Sequence, residues 1–299
     1  MRLAVKIALG SILVGGAVFG AKLAAAHVSH STALFSDALE AMVNVASSLL
    51  ALYALILGAK PADQVHNYGH AKAELISAVA TGAMILIAAM LIFQRAMATV
   101  VHPPALEPLT GGLGVGLALN GVAGAINGLW AMMLMRVGRA HKSPALVADG
   151  KHLLSDLITT IGILAALLLA SFLHMPVLDP VVALLIAVQI AWIGGHTVMD
   201  SLSGLMDRAP PPDMQERIQA AVREHATGAI EAHDLRIREV GAAGFLEFHL
   251  VVPGEMSVND SHAICDRIEA ALKQEMPGVV ITIHVEPPEK AKTDGAIVP

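Results

Sequence analysis

The sequence holds a single cysteine, Cys265, which excludes an internal disulfide and any thiolate cluster within one chain. Aromatic residues are 3% of the total and charged residues only 15%, against roughly 25% charged in soluble domains. There is no run of Lys or Arg and the pI is near 6.1, so the basic footprint of a nucleic-acid binder is absent. No GxxxxGKS/T stretch offers a cradle for nucleotide phosphates, and no HExxH pair marks a zinc hydrolase helix. What remains is apolar: 55% of residues are hydrophobic and the mean hydropathy is +0.65. That composition describes an integral membrane protein.

A bilayer core takes about 20 apolar residues per helix. Six stretches qualify, at 4–26, 32–58, 72–98, 110–136, 146–172 and 177–198. The first also resembles a signal peptide, with Arg2 and Lys6 before the apolar run and Ala24-Ala25-Ala26 after it. Lys60 and Lys72 flank the second connection, and Arg136, Arg139, Lys142 and Lys151 surround the fourth. The connections 27–31, 99–109 and 173–176 contain no Lys or Arg. The positive-inside rule then puts both termini and the loops 59–71 and 137–145 in the cytoplasm, in an inner (plasma) membrane protein of several passes. Lys22 and Arg95 run against the rule, and snorkelling is expected to accommodate them.

Polarity changes sharply along the chain. Residues 1–205 carry nine acids and ten bases, whereas 206–299 carry sixteen acids and nine bases. The expected organisation is a six-helix membrane domain over 1–206, a Pro-rich linker over 207–212, a cytoplasmic domain over 213–288 and a flexible tail over 289–299. Within the cytoplasmic domain, helical periodicity covers 213–226 and 257–276, and alternation covers 231–240, 244–252 and 279–286. Helix–strand–strand–helix–strand is a small α+β sandwich.

Three groups of residues carry possible chemistry. Asp37, Glu40 and Asn44 stand at i, i+3 and i+7 on one face of the second span. His152 and Asp156, four apart on the fifth, are expected to face them. One imidazole with carboxylates suits zinc or another first-row divalent ion, and ionisable groups at membrane depth usually mark a pathway. The bland reading is polar side chains joining helices; it accounts for one Asn better than for two acids and a His–Asp pair. In the second connection, Asp63, His66 and His70 offer one oxygen and two nitrogen ligands around Gly69, and the alternative is a solvated loop. In the last third, His233, His249, His262, His284 and Glu286 offer a further metal site, with His284 and Glu286 on one face of a strand. Asn120 and Asn127 either line a cavity or bond a neighbouring helix. Cys265 is expected in the core.

The stretches SDALEAMVN, HNYGHAKAE, ADGKHLLSD, LMDRAPP and IHVEP together resemble the cation diffusion facilitator family from about residue 5 to 288. That resemblance implies a six-helix homodimer that exports divalent cations in exchange for protons, with a ferredoxin-like, metallochaperone-like cytoplasmic domain holding regulatory metal. It implies a transport site of Glu40, Asn44, His152 and Asp156, with Asp37 as a further ligand or proton carrier. The family's helix-two pair is usually Asp or His followed by Asp, so Glu40 and Asn44 depart at both positions and leave the metal open. It also implies a loop site of Asp63, His66 and His70, a C-terminal site of His233, His249, His262, His284 and Glu286, and a charge pair, Lys72 with Asp207, that locks the dimer.

The resulting expectation is a secondary-active exporter rather than an enzyme, working in the lipid bilayer as a homodimer on metal ions and protons, with no nucleic acid or nucleotide partner. Zinc leads as cargo and regulatory ligand and iron(II) follows; manganese, cobalt, nickel and cadmium stay open. Two other classes compete: a metal-sensing membrane scaffold that moves nothing, and a membrane metalloenzyme using zinc-bound water.

Overall fold

The computed structural model describes residues 2–101, 103, 108–140, 144–240, 243–292 and 297. Lys142, one of the positive charges of the fourth connection, lies outside them. Six long helices come first: α1 (Arg2–Ser29), α2 (Thr32–Gly58), α3 (Lys72–Val101), α4 (Gly112–Ala140), α5 (Pro144–Leu173) and α6 (Leu178–Leu205). All six are long and apolar enough to cross a membrane. The chain then forms α7 (Pro212–His225), β1 (Glu231–Val240), β2 (Ala243–Val251), α8 (Val258–Glu275) and β3 (Val279–Glu286). It divides into two compact units, Met1–Ala54 with Ser77–Met199, and Leu55–Ile76 with Asp200–Pro299.

In the first unit, apolar side chains point outward as well as inward. Ile158, Phe172, Leu185 and Trp192 are all exposed, as expected of helices whose solvent is hydrocarbon. With no hydrophobic drive between such helices, close backbone approach holds them together. At Gly82 on α3, an added Cβ would sit 2.6 Å from the side chain of Val198 and 3.0 Å from the Gly194 carbonyl, both on α6. Only glycine permits that approach. The unit's core gathers Ala33, Leu34, Ile92, Leu167 and Ala183.

A buried carboxylate fixes where α2 begins. Asp179, in the first turn of α6, accepts from the Thr32 amide (2.8 Å), the Ala33 amide (2.9 Å) and the Ser31 hydroxyl (2.7 Å). It satisfies amides that the start of a helix leaves unpaired and places negative charge at the positive end of the dipole. His30 makes the preceding turn with φ of 52°.

In the second unit, a three-stranded sheet of order β1-β2-β3 pairs β1 with β2 antiparallel and β2 with β3 parallel. Helices α7 and α8 cover one face. Ile218 and Val222 from α7 meet Ile264, Ile268 and Leu272 from α8 over Leu246, Phe248 and Leu250 of β2. Each such side chain contributes roughly 1.5–3 kcal/mol by full burial. Cys265 belongs to this core. Pro212 opens α7, where its missing N–H costs nothing, and the Ser257 hydroxyl caps α8 by accepting from the Asp260 amide at 3.1 Å.

Two expectations are corrected. Lys22 does not snorkel: it is 3% exposed, because a carboxylate partner lies beside it. The tail beyond residue 288 is not loose throughout. Ile297 is buried and exchanges both backbone hydrogen bonds with Ala232, at 2.7 and 2.9 Å. The outer edge of β1 has backbone groups to satisfy there, and an apolar side chain gains from covering the core.

Candidate metal sites

The helix-two and helix-five residues meet within the first unit. Asn44 donates its side-chain amide to Asp156 Oδ2 at 2.9 Å. The His152 ring lies 3.9 Å from Asp156 Oδ1. Glu40 Oε2 is buried with no hydrogen-bond partner among the described residues. Glu40, Asn44 and Asp156 line one cavity of about 50 Å³, which Asn127 and Trp130 also border. Glu40 and Asn44 line a second of about 50 Å³ together with His152. The two helix-two residues therefore form the wall between the two spaces. An orphaned carboxylate oxygen at such a position is costly unless a cation or proton takes it.

Asp37 stands apart from this quartet. It is 2.7 Å from the Lys22 ammonium, which also donates to Thr160 Oγ1 at 3.0 Å. Lys22 lies seven residues before the end of α1 and Asp37 five residues after the start of α2, so both sit between one and two turns from the connection. Opposite charges at similar depth on consecutive spans were the available sequence signal.

In the second unit, Asp63 folds its own loop. Its Oδ1 accepts from the amides of Val65 and His66 at 2.8 and 2.7 Å, and Gly69 turns the chain with φ of 81°. The His66 and His70 rings then come within 4.4 Å of each other, and His70 Nε2 lies 3.5 Å from Asp63 Oδ2. One ligand atom from each of the three falls within 4.8 Å of the others. The hydrogen bonds from the His66 and Val65 amides hold the Asp63 carboxyl below the usual carboxylate range, so it stays ionised to lower pH than an ordinary carboxylate.

The strand histidines form a row. His233 of β1 is the register partner of His249 of β2, which is the register partner of His284 of β3. Ring centroids are 5.2 and 5.1 Å apart along it. Glu286 lies amid all three, 3.3 Å from His233 Nε2, 3.2 Å from His249 Nδ1 and 3.7 Å from His284 Nε2. Three imidazoles and a carboxylate are a donor set that zinc accepts. Glu231 accepts at His233 Nδ1 over 3.0 Å, an outer partner of the kind that orients ligating imidazoles.

A rival carboxylate stands nearby. The bulge between His233 and Arg236 puts Asp234 at φ of 52° and brings it within 4.8 Å of ligand atoms of His233 and His249. Lys292 holds Asp234 at 2.6 Å, and that hydrogen bond lowers its pKa. Glu286, by contrast, has the three imidazoles as its side-chain ion partners and no lysine or arginine among them. His262 is not gathered into the row: it is exposed on α8 beside Asp266, at 3.7 Å.

Lys72 and Asp207 pair at 3.1 Å. Arg238, which sequence reasoning overlooked, approaches Asp207 equally, at 3.0 Å, and stacks over Phe245 at 4.6 Å. Partial burial pushes Asp207 up, but Lys72 and Arg238 outweigh it and hold the carboxyl below its ordinary value.

Comparison with known proteins agrees along nearly the whole chain. Residues 8–206 match the family model described as the cation efflux transmembrane domain, and residues 210–288 match the cation efflux protein, cytoplasmic domain. An uncharacterized transporter of Synechocystis sp. is 37% identical over 292 residues, covering 98% of this chain and 93% of its own. The cation-efflux pump FieF of Cronobacter sakazakii is 31% identical over 288 residues, covering 96% and 93%. Among solved structures, the metal-bound C-terminal domain of the CzcD transporter from Thermotoga maritima is 34% identical, covering 27% of this chain and 93% of that one, with a TM-score of 0.25. The chain is a multi-pass membrane protein and belongs to the cation efflux family, the cation diffusion facilitators, whose members are transporters and not enzymes.

Proposed function

We propose that this protein exports divalent metal cations from the cytoplasm in exchange for protons, with zinc the favoured cargo and iron(II) next. The observation that carries the reading is Glu40: a buried carboxylate with an unpartnered oxygen, in a cavity wall shared with Asn44 and Asp156. Glu40, Asn44, His152 and Asp156 are the transport ligands. A metal ligand must be deprotonated, so metal and protons compete for the same atoms, and imidazole ordinarily titrates near neutrality. Loading from one side and release as protons arrive from the other is antiport. Mixed nitrogen and oxygen donors favour zinc over the harder cations.

In this reading Asp63, His66 and His70 bind metal in the loop. His233, His249, His284 and Glu286 bind it in the cytoplasmic domain, with His262 reaching such a site only from another direction, such as a second protomer. The protein works as a homodimer in the inner membrane, both termini in the cytoplasm, with residues 1–206 spanning the bilayer, 207–212 as linker and 213–288 as the cytoplasmic domain.

The test is metal flux into proteoliposomes under an imposed pH gradient. Wild-type protein should move zinc, faster with the gradient than without, and Asp156→Ala should not. Equal flux from both proteins would remove the site assignment. Metal binding without flux in wild type would favour a sensing scaffold.

A further inference from the structure

Lys22 and Asp37 lie within the apolar spans but outside the transport quartet, and they hold each other. Lys22 and Asp37 have side chains 4% and 1% exposed, with a contact of 2.7 Å. Thr160 closes a triangle, accepting from Lys22 at 3.0 Å and lying 3.4 Å from both Asp37 oxygens. The position of this triangle matters. Asp37 is one helical turn from Glu40 on α2, and Thr160 is one turn from Asp156 on α5, on the side nearer the α1–α2 connection. Lys22 borders the same cavity as Glu40, Asn44 and Asp156. Asp37 shares a helical face with Glu40 and Asn44. It is a carboxylate one turn from Glu40, and among the described residues its side-chain hydrogen-bond partners are Lys22 and Thr160.

We propose that Lys22 is a selectivity-determining residue, which withholds Asp37 from the metal and keeps the transport site at two carboxylates, one imidazole and one amide. The proposal rests on the transport-site reading above. Formal charges are consistent with it: with Lys22 paired to Asp37, a divalent cation exactly offsets Glu40 and Asp156. Free Asp37 would harden the donor set, and carboxylate-rich sites suit manganese, magnesium and calcium better than zinc. Free Lys22, conversely, would put an ammonium into the cavity beside Glu40 and Asp156, where it competes with the cargo.

The experiment is equilibrium binding and competitive flux of Zn²⁺ and Mn²⁺ with the full-length protein. Lys22→Met should raise the Mn²⁺ preference relative to Zn²⁺ by about tenfold. Asp37→Asn should weaken both metals by about tenfold. The double variant K22M/D37N should return to the wild-type ratio; replacing both partners of a buried pair is often neutral where removing one is not. Lys22→Gln, which keeps a hydrogen-bond donor, repeats the measurement in case Lys22→Met does not fold.

A ratio within about twofold of wild type in folded Lys22→Met or Lys22→Gln overturns the proposal. So does a double variant that keeps the altered ratio. If both single variants fail to fold while K22M/D37N folds, the pair serves assembly alone and the proposal is again overturned. Asp156→Ala separates the two levels. If it binds and transports like wild type, the transport site itself was misassigned. If it is inactive while the Lys22 variants keep the wild-type ratio, only the role of Lys22 is wrong.

Discussion

Asn44 on α2 gives its amide hydrogen to the Asp156 carboxylate on α5 over 2.9 Å, so two residues expected to bind cargo bind each other across a helix interface. A neutral amide supports the metal-free state in a way that a second carboxylate would not.

Asn44→Asp should therefore separate two effects. The metal-free protein should lose about 1 kcal/mol of stability as the interhelical hydrogen bond goes and two acids face each other. The metal-loaded protein should gain, because a carboxylate is the stronger ligand; a tenfold tighter Kd adds about 1.4 kcal/mol at saturation. Thermal unfolding with and without zinc reads both, and a smaller metal-induced rise in Tm than in wild type would contradict the expectation.

In the loop proposed to bind metal, Asp63 should keep its negative charge to lower pH than an ordinary carboxylate. The Asp63 pKa is depressed by the His66 and Val65 amides. Its contribution is thus complete above the ordinary carboxylate range and disappears only as pH falls through its lowered value. Asp63→Asn should lower the zinc affinity of this loop at every pH above that value, because the anionic ligand is gone; calorimetry of the full chain would register it, and an unchanged affinity would contradict it.

Two carboxylates compete for the strand histidines, and their neighbours decide between them. Glu286→Ala should weaken metal binding at the row at least tenfold (~1.4 kcal/mol), leaving three imidazoles without their anionic partner. Asp234→Ala should cost little there, since Lys292 already holds that side chain at 2.6 Å. Metal stoichiometry of each purified variant distinguishes them; the reverse pattern would make Asp234 the ligand.

Cys265 should be slow to react. Burial pushes its thiol up, with Glu269 and Asp266 adding to the effect, so little thiolate is available near neutrality. Maleimide labelling of folded protein should run at about a tenth of the rate in denaturant or less.

Much of the architecture was readable from periodicity: six apolar stretches and the αββαβ order follow from patterns that local side-chain spacing sets. The gathering of candidate donor atoms was readable where they sit in one short stretch, as with Asp63, His66 and His70. It was less so where pairing between elements matters. That His233, His249 and His284 form one row depends on strand register, and Asp234 enters only through a bulge. Lys22 was misread because a cation in an apolar stretch has two outcomes, reaching out to the interface or finding an acid. Its partner lies on the next helix. The anchoring of Ile297 depends on an open strand edge at Ala232, which no local pattern around residue 297 announces.

The Asp179 carboxylate has a mechanical corollary. Freeing it would strand the Thr32 and Ala33 amides and the Ser31 hydroxyl away from water, so the start of α2 and the start of α6 must travel together. If Glu40 is exposed to alternate sides as the proposed exchange requires, this capped end of α2 should stay fixed to α6, and a cross-link between residues 32 and 179 should leave metal flux intact.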